Sequence, residues 1–208
     1  MKTMLRCTLP LLMTLTLVGC QTTTSTPQPA QPTVEVAQGA WFTHQENLER
    51  LQTYQARGKF AYISGSRIDT ANFAWLQKSA TDYRLLLTTS FGNKIVELNV
   101  SAGQTQLTDD NNRLYLSDNP QKLVSELTGM QIPLDNLRAW LIGLPGHSKT
   151  YKLNTDFQLE QLTYNDNGAL WQVNYRSYHT ETFPVLPKEM ELTLKQDKIK
   201  IKVNQWDL

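Results

Sequence analysis

Cysteine is nearly absent from this chain: Cys7 and Cys20 are the only two in 208 residues. That scarcity excludes a disulfide framework and any cysteine-built metal site. Histidine is scarce as well, and His44, His147 and His179 have no spacing that would hold a metal. There is no Gly-x-Ser-x-Gly elbow and no phosphate-cradling glycine loop. The formal net charge is only +1, so the basic stripe expected of a nucleic-acid binder is missing. No apolar run is long enough to span a bilayer as a helix. A catalytic set assembled only by folding is not excluded by these absences. What the chain does have is five Trp, eight Tyr and six Phe, the means to build apolar surfaces or a cavity.

The first residues have a recognisable layout. Lys2 and Arg6 precede an apolar stretch from Leu9 to Val18, and a small residue, Gly19, stands before Cys20. These are the parts of a secretory signal peptide. Leu17-Val18-Gly19-Cys20 resembles the bacterial lipobox, in which the cysteine is lipidated and becomes the first mature residue. The plainer alternative is an ordinary signal with a cysteine at the cut. On the lipobox reading, residues 1–19 are leader and Cys20 carries N-acyl and diacylglycerol lipid, with no other cofactor expected. Each buried methylene adds about 0.8 kcal/mol, and two or more chains anchor stably. Gln21 fits the lipoprotein pattern for release to the outer membrane, where Asp at that place would mark retention in the inner one.

Residues 20–38 are rich in Thr, Ser, Gln and Pro and cannot form a core. They are read as a tether, about 20 to 25 Å long as a coil. Residues 39–208 form the folded domain, large enough to bury most of its apolar surface without a cross-link. Trp41, Leu48 and Leu51 share one face of a first helix, expected over 41–55. After Gly58 the pattern turns to short alternating runs: Lys59 to Ser64, Ile68 to Gln77, Tyr83 to Thr88, Lys94 to Val100, Thr105 to Thr108 and Arg113 to Leu116. Asp109 and Asp110 read as turn chemistry. Asn119-Pro120 caps a second helix ended by Gly129, and Leu134 to Ile142 is a third. Strands resume at Leu159 to Tyr164, Leu170 to Tyr175, Glu189 to Lys195 and Lys198 to Trp206, with Asn167-Gly168 as a hairpin turn. In the last strand Lys198, Lys200 and Lys202 alternate with Ile199, Ile201 and Val203. The lysines mark a solvated face or a protected edge, with contact to anionic headgroups as the second reading.

The count gives an α+β domain of about eleven strands and three helices, and a single antiparallel sheet that wide must curl. We expect a curved sheet forming an incomplete, half-open β-barrel with helices over its concave side.

The stretches Tyr54-Gln55-Ala56-Arg57-Gly58-Lys59-Phe60-Ala61-Tyr62-Ile63, Phe73-Ala74-Trp75 and Tyr83 to Thr88, then Gly129-Met130-Gln131-Ile132-Pro133-Leu134 and Gly143-Leu144-Pro145-Gly146, resemble the LolB family of outer-membrane lipoprotein receptors. The likeness runs in order over nearly all of the mature domain. It implies an incomplete barrel lidded by helices, with an apolar cavity that receives acyl chains of lipoprotein cargo, and a protein that acts without catalysis or nucleotide hydrolysis. The implied partners are the soluble periplasmic carrier LolA, which hands over the cargo, and outer-membrane phospholipid, which receives it. No nucleic acid is involved, and the protein is expected to be a monomer at the periplasmic face of the outer membrane.

The family carries an apolar residue, often leucine, at the tip of a loop between two early strands, used in delivery to the membrane. Here that loop is Thr89-Ser90-Phe91-Gly92-Asn93, which assigns the role to Phe91 followed by Gly92; the competing arrangement has Phe91 folded back to cap its own hairpin. By strand alternation the cavity residues are Phe73, Trp75, Tyr83, Leu85, Leu87, Val96 and Leu98, joined by Leu137, Trp140 and Leu141 from the third helix. Two other functions stay open at this level: a sensor or assembly lipoprotein that binds a partner protein without carrying lipid, and a cell-wall hydrolase whose site folding alone assembles.

Overall fold

The computed structural model describes residues 34–208, with side chains from Gln38 onward. The leader, Cys20 and most of the tether therefore lie outside the described residues. Eleven antiparallel strands form one sheet in the order β6-β5-β4-β3-β2-β1-β11-β10-β9-β8-β7. The first six are β1 (Tyr54–Ser64), β2 (Arg67–Gln77), β3 (Tyr83–Thr88), β4 (Lys94–Ser101), β5 (Gln104–Asp109) and β6 (Leu114–Ser117). The rest are β7 (Thr150–Leu153), β8 (Leu159–Asp166), β9 (Ala169–His179), β10 (Leu186–Leu194) and β11 (Asp197–Asp207). Each half is a meander, and the two join where β1 pairs with β11 at the centre.

The sheet does not close, because its edges β6 and β7 are joined by the helices α2 (Pro120–Thr128) and α3 (Leu134–Leu141) and never pair. That crossover covers the concave face, giving the expected half-open barrel with a helical lid. Period-two alternation places the core. In β3, Tyr83, Leu85 and Leu87 are buried, and in β11 Ile199, Ile201 and Val203 are. The Lys198–Lys200–Lys202 set lies on the opposite, outer face of a central strand, so the edge reading is corrected: β11 has neighbours on both sides.

Local chemistry explains the boundaries. Asn119 accepts the Lys122 N–H at 2.8 Å, Pro120 opens α2, and Gly129 ends it at φ +71°, a conformation that glycine adopts without Cβ strain. The Asp109 carboxylate takes the N–H groups of Asn111 and Arg113, which makes it the turn former the sequence suggested. At Gly58 the pairing of β1 with β11 slips by one residue, and a Cβ there would lie 1.9 Å from the Lys202 carbonyl oxygen. The bulge bends the sheet between its halves.

Two expectations are corrected. Helix α1 runs Val34–Glu49, starting before Trp41 and ending well before Gln55, whose place is taken by the start of β1. Strand β7, missed in the sequence, is exposed at three of its four positions, so no apolar alternation marks it.

Candidate functional site: an apolar groove beneath a helical lid

All ten cavity candidates are buried on the concave side. Phe73, Trp75, Leu85, Leu87, Leu137 and Leu141 converge, with Phe60, Ile132 and Ile201, around a remnant space of about 20 Å³ beneath α3, enough for about one water-sized group. Tyr83 stacks on Trp75 with ring centroids 4.6 Å apart; burial raises its phenol pKa, with Asp135 adding to the effect, so the hydroxyl stays protonated. Val96 lines the neighbouring groove, and Leu98 is core. Trp140 turns toward the other half, donating Nε1–H to the Pro145 carbonyl at 3.1 Å and meeting Tyr164 edge-on. The sequence missed Phe60, Ile132 and Ile201 as lining residues, although inward alternation in β1 and β11 could have identified Phe60 and Ile201.

Next to this packed interior a groove of about 510 Å³ opens between the end of α2 and strands β1 to β6, with Arg67, Asp69, Asp109 and Asp110 among its otherwise largely apolar lining. It shares Phe60 and Leu87 with the smaller space, so these two side chains stand between adjacent spaces. Ile68 and Leu127 line it while 65% and 39% exposed. Antiparallel order places Ile68, Phe91, Leu114, Leu127 and Leu170, all exposed, at one end of the sheet: the β1–β2, β3–β4, β5–β6 and β8–β9 turns lie there, and Leu127 is near Arg67 through the end of α2.

The lid is fastened unevenly. Near its C-terminus, α3 receives the Tyr175 hydroxyl on the Trp140 carbonyl at 2.9 Å and the Tyr54 hydroxyl on the Arg138 carbonyl at 3.4 Å, and Arg138 donates to the Ala80 carbonyl. Burial pushes the phenols of Tyr54 and Tyr175 well above their usual range, so both remain donors. At the groove end, α2 is held by Arg67 Nη2 donating to the Thr128 carbonyl at 3.2 Å. The Tyr62 hydroxyl also accepts the Gln131 N–H at 3.5 Å. The Arg67 bond at the groove end is exposed, whereas the Tyr175 bond at the α3 end is buried, and Gln121 ties the start of α2 to Asp166 at 3.4 Å.

Phe91 stands 93% exposed, so it does not fold back over its hairpin. Its loop is closed beneath it: Thr89 N–H reaches the Asn93 carbonyl at 2.8 Å, Gly92 N–H reaches the Thr89 carbonyl at 3.0 Å, and Gly92 takes φ +85°. The histidines are dispersed. His179, expected on a loop, is the buried last residue of β9, its Nδ1 2.5 Å from Glu181 Oε1 and its Nε2 2.9 Å from the Val203 carbonyl oxygen. Among the described residues no three His, Cys, Asp or Glu side chains gather into a metal site.

This geometry has relatives. The family described as outer membrane lipoprotein LolB matches residues 52–206. The chain belongs to the LolB family. It is 46% identical over 166 residues to the outer-membrane lipoprotein LolB of Photorhabdus laumondii, covering 80% of each chain. To that of Yersinia enterocolitica it is 40% identical over 195 residues, covering 94% of this chain and 92% of the relative. The Serratia proteamaculans protein is 40% identical over 197 residues, with 95% and 93% covered. Among solved structures, a LolA-superfamily protein of Nitrosomonas europaea shares the fold with a TM-score of 0.56 at 8% identity, covering 83% of this chain and 93% of that one. A lipoprotein-sorting domain from Vibrio parahaemolyticus superposes with a TM-score of 0.52 at 10% identity, covering 82% and 90%. The chain is thus an outer-membrane lipoprotein of the LolB family, a lipoprotein localisation factor, on the LolA-like fold.

Proposed function

We propose that this protein receives lipoproteins from the soluble periplasmic carrier LolA, shelters their acyl chains between lid and sheet, and inserts them into the outer membrane, to which Cys20 anchors it by its own lipid. The observation that carries this reading is the exposed groove lying directly against the packed apolar interior beneath α3, with Phe60 and Leu87 as the wall between them. An acyl chain laid in the groove meets Leu87, Val96 and Leu107 first. It reaches Phe73, Trp75 and Leu137 only if the lid moves outward at its α2 end. Exposing a chain to water costs about 0.8 kcal/mol per methylene, so continuous cover is what makes transfer feasible. Direction needs only tighter binding at each acceptor, at 1.4 kcal/mol per tenfold. The exposed Phe91 is the membrane contact, worth about 1.5 to 3 kcal/mol when buried.

The test is transfer of a labelled lipoprotein from loaded carrier to the purified protein, followed by its appearance in vesicles. A chain that binds a partner protein but takes no acylated cargo would be a sensor or assembly lipoprotein instead.

A further inference from the structure

We propose that the outer face of β1 and β11 is a docking site for anionic lipid headgroups, seating the protein on its target bilayer beside the Phe91 loop. This rests on the membrane-delivery reading above and adds the class of lipid and the face that meets it.

Register brings the charges together. Lys59 of β1 lies directly opposite Lys202 of β11, and Lys200 lies opposite Ala61 two places along. Like charges facing each other across strands destabilise a sheet unless something answers them. Lys202 is answered by Glu189 at 2.7 Å, and Lys198 and Arg176 share Glu191 at 3.2 and 3.8 Å. Lys59 has only the neutral amide oxygen of Asn72, at 2.6 Å. Lys200 lies opposite Glu191 in the register of β10 and β11, but that carboxylate is engaged by Lys198 and Arg176 and makes no ion pair with Lys200 among the described residues. These side chains rim a trough of about 530 Å³ in which Lys59, Arg176, Lys200 and Lys202 outnumber Glu189 and Glu191, with Ala61 and Thr70 leaving room between them.

The trough is continuous with the membrane loop. Ser90 lines it, and Asn72 Nδ2 donates to the Thr89 carbonyl at 3.0 Å, laying the base of the loop against the outer face. A bilayer reached by Phe91 therefore has its headgroup layer close to Lys59 and Lys200, whose flexible stems can follow phosphates at varying depth.

The test uses the chain carrying Cys20→Ala, so that the lipid anchor does not dominate, with vesicles of phosphatidylcholine alone or with added phosphatidylglycerol. Anionic vesicles should bind more tightly, the excess should fall as salt rises, and Lys59→Gln with Lys200→Gln should remove it, at about fivefold per lysine. Phe91→Glu reads the loop separately, since it should weaken binding to both kinds of vesicle, including the neutral ones where the lysines contribute nothing. Equal binding to the two vesicles, or a double variant that keeps its preference with an unchanged melting temperature, overturns the proposal. Displacement by inorganic phosphate, at an ionic strength where chloride has no effect, would also overturn it by showing a free-anion site.

Discussion

Phe91 concentrates the functional argument at the residue scale, because an aromatic ring 93% exposed on a closed five-residue turn adds nothing to the core. Phe91→Glu should leave the melting temperature and uptake from the carrier unchanged while blocking insertion into vesicles, and Phe91→Leu should retain insertion. Scoring receptor-bound and membrane-inserted cargo separately checks both, and normal insertion by the glutamate variant would sink the assignment. Carboxylates give a second residue-scale expectation. Hydrogen bonds from Lys202 to Glu189 and from His179 to Glu181 hold both acids below the usual glutamate range. A depressed folded pKa stabilises above the unfolded value, about 4.3, and that gain is lost as pH falls through the lower folded value. Stability followed by thermal melting should therefore hold from pH 7 to about 5 and decline below about 4, and a melting temperature that rises on acidification would contradict it.

At the scale of elements, the lid has a buried hydrogen bond at the end of α3 and an exposed one from Arg67 at the end of α2. Arg67→Ala removes the bond to the Thr128 carbonyl together with the ion pair to Asp69 at 2.6 Å, and should speed uptake of an apolar fluorescent acyl probe; Asp69→Asn, which loses the ion pair but keeps the Thr128 bond, should not. Tyr175→Phe, by contrast, removes a buried hydroxyl bond to the Trp140 carbonyl, which keeps the Gly143 N–H as a donor, and should cost about 1 kcal/mol. Uptake equally fast before and after Arg67→Ala would place the opening elsewhere. Gly58→Ala should cost about 1 to 3 kcal/mol by overpacking, since its Cβ meets the Lys202 carbonyl oxygen; denaturant titration reads it directly. These elements show what a sequence discloses. Strands with one face buried, such as β3 and β11, announce themselves by alternation, and α2 by its cap and terminal glycine. Strand β7 is exposed nearly throughout, and α1 extends past its apolar spacing, so neither boundary carries a signal. Inward candidates were legible because β-strand geometry fixes their side; that Trp140 packs toward β8 while Leu137 faces the remnant space depends on how α3 is rolled, which spacing alone does not state.

For the whole molecule, the decisive feature is that the two sheet edges are joined by a crossover instead of pairing. A closed barrel would fix its interior volume, whereas here the concave face can gain room by displacement of α2 and α3 without breaking any strand pair. The interior is accordingly packed to a remnant of about 20 Å³, and its apolar surface stays covered when no chain occupies it. On the function proposed, binding and anchoring belong to different parts of the chain, because no residue of the groove lies before Phe60. Cys20→Ala, exported by an ordinary signal, should give a periplasmic protein that is released with the soluble fraction yet still accepts cargo from the carrier. Fractionation and a transfer assay on the same preparation test both halves of that statement. Loss of uptake on removing the lipid alone would mean that the anchor takes part in the handover, and the groove could not then be the whole of the receiving site. Leu127→Glu in the same background supplies the converse: it places a charge at the rim of the groove while leaving the lid's polar fastenings intact, and should abolish uptake without changing where the protein fractionates.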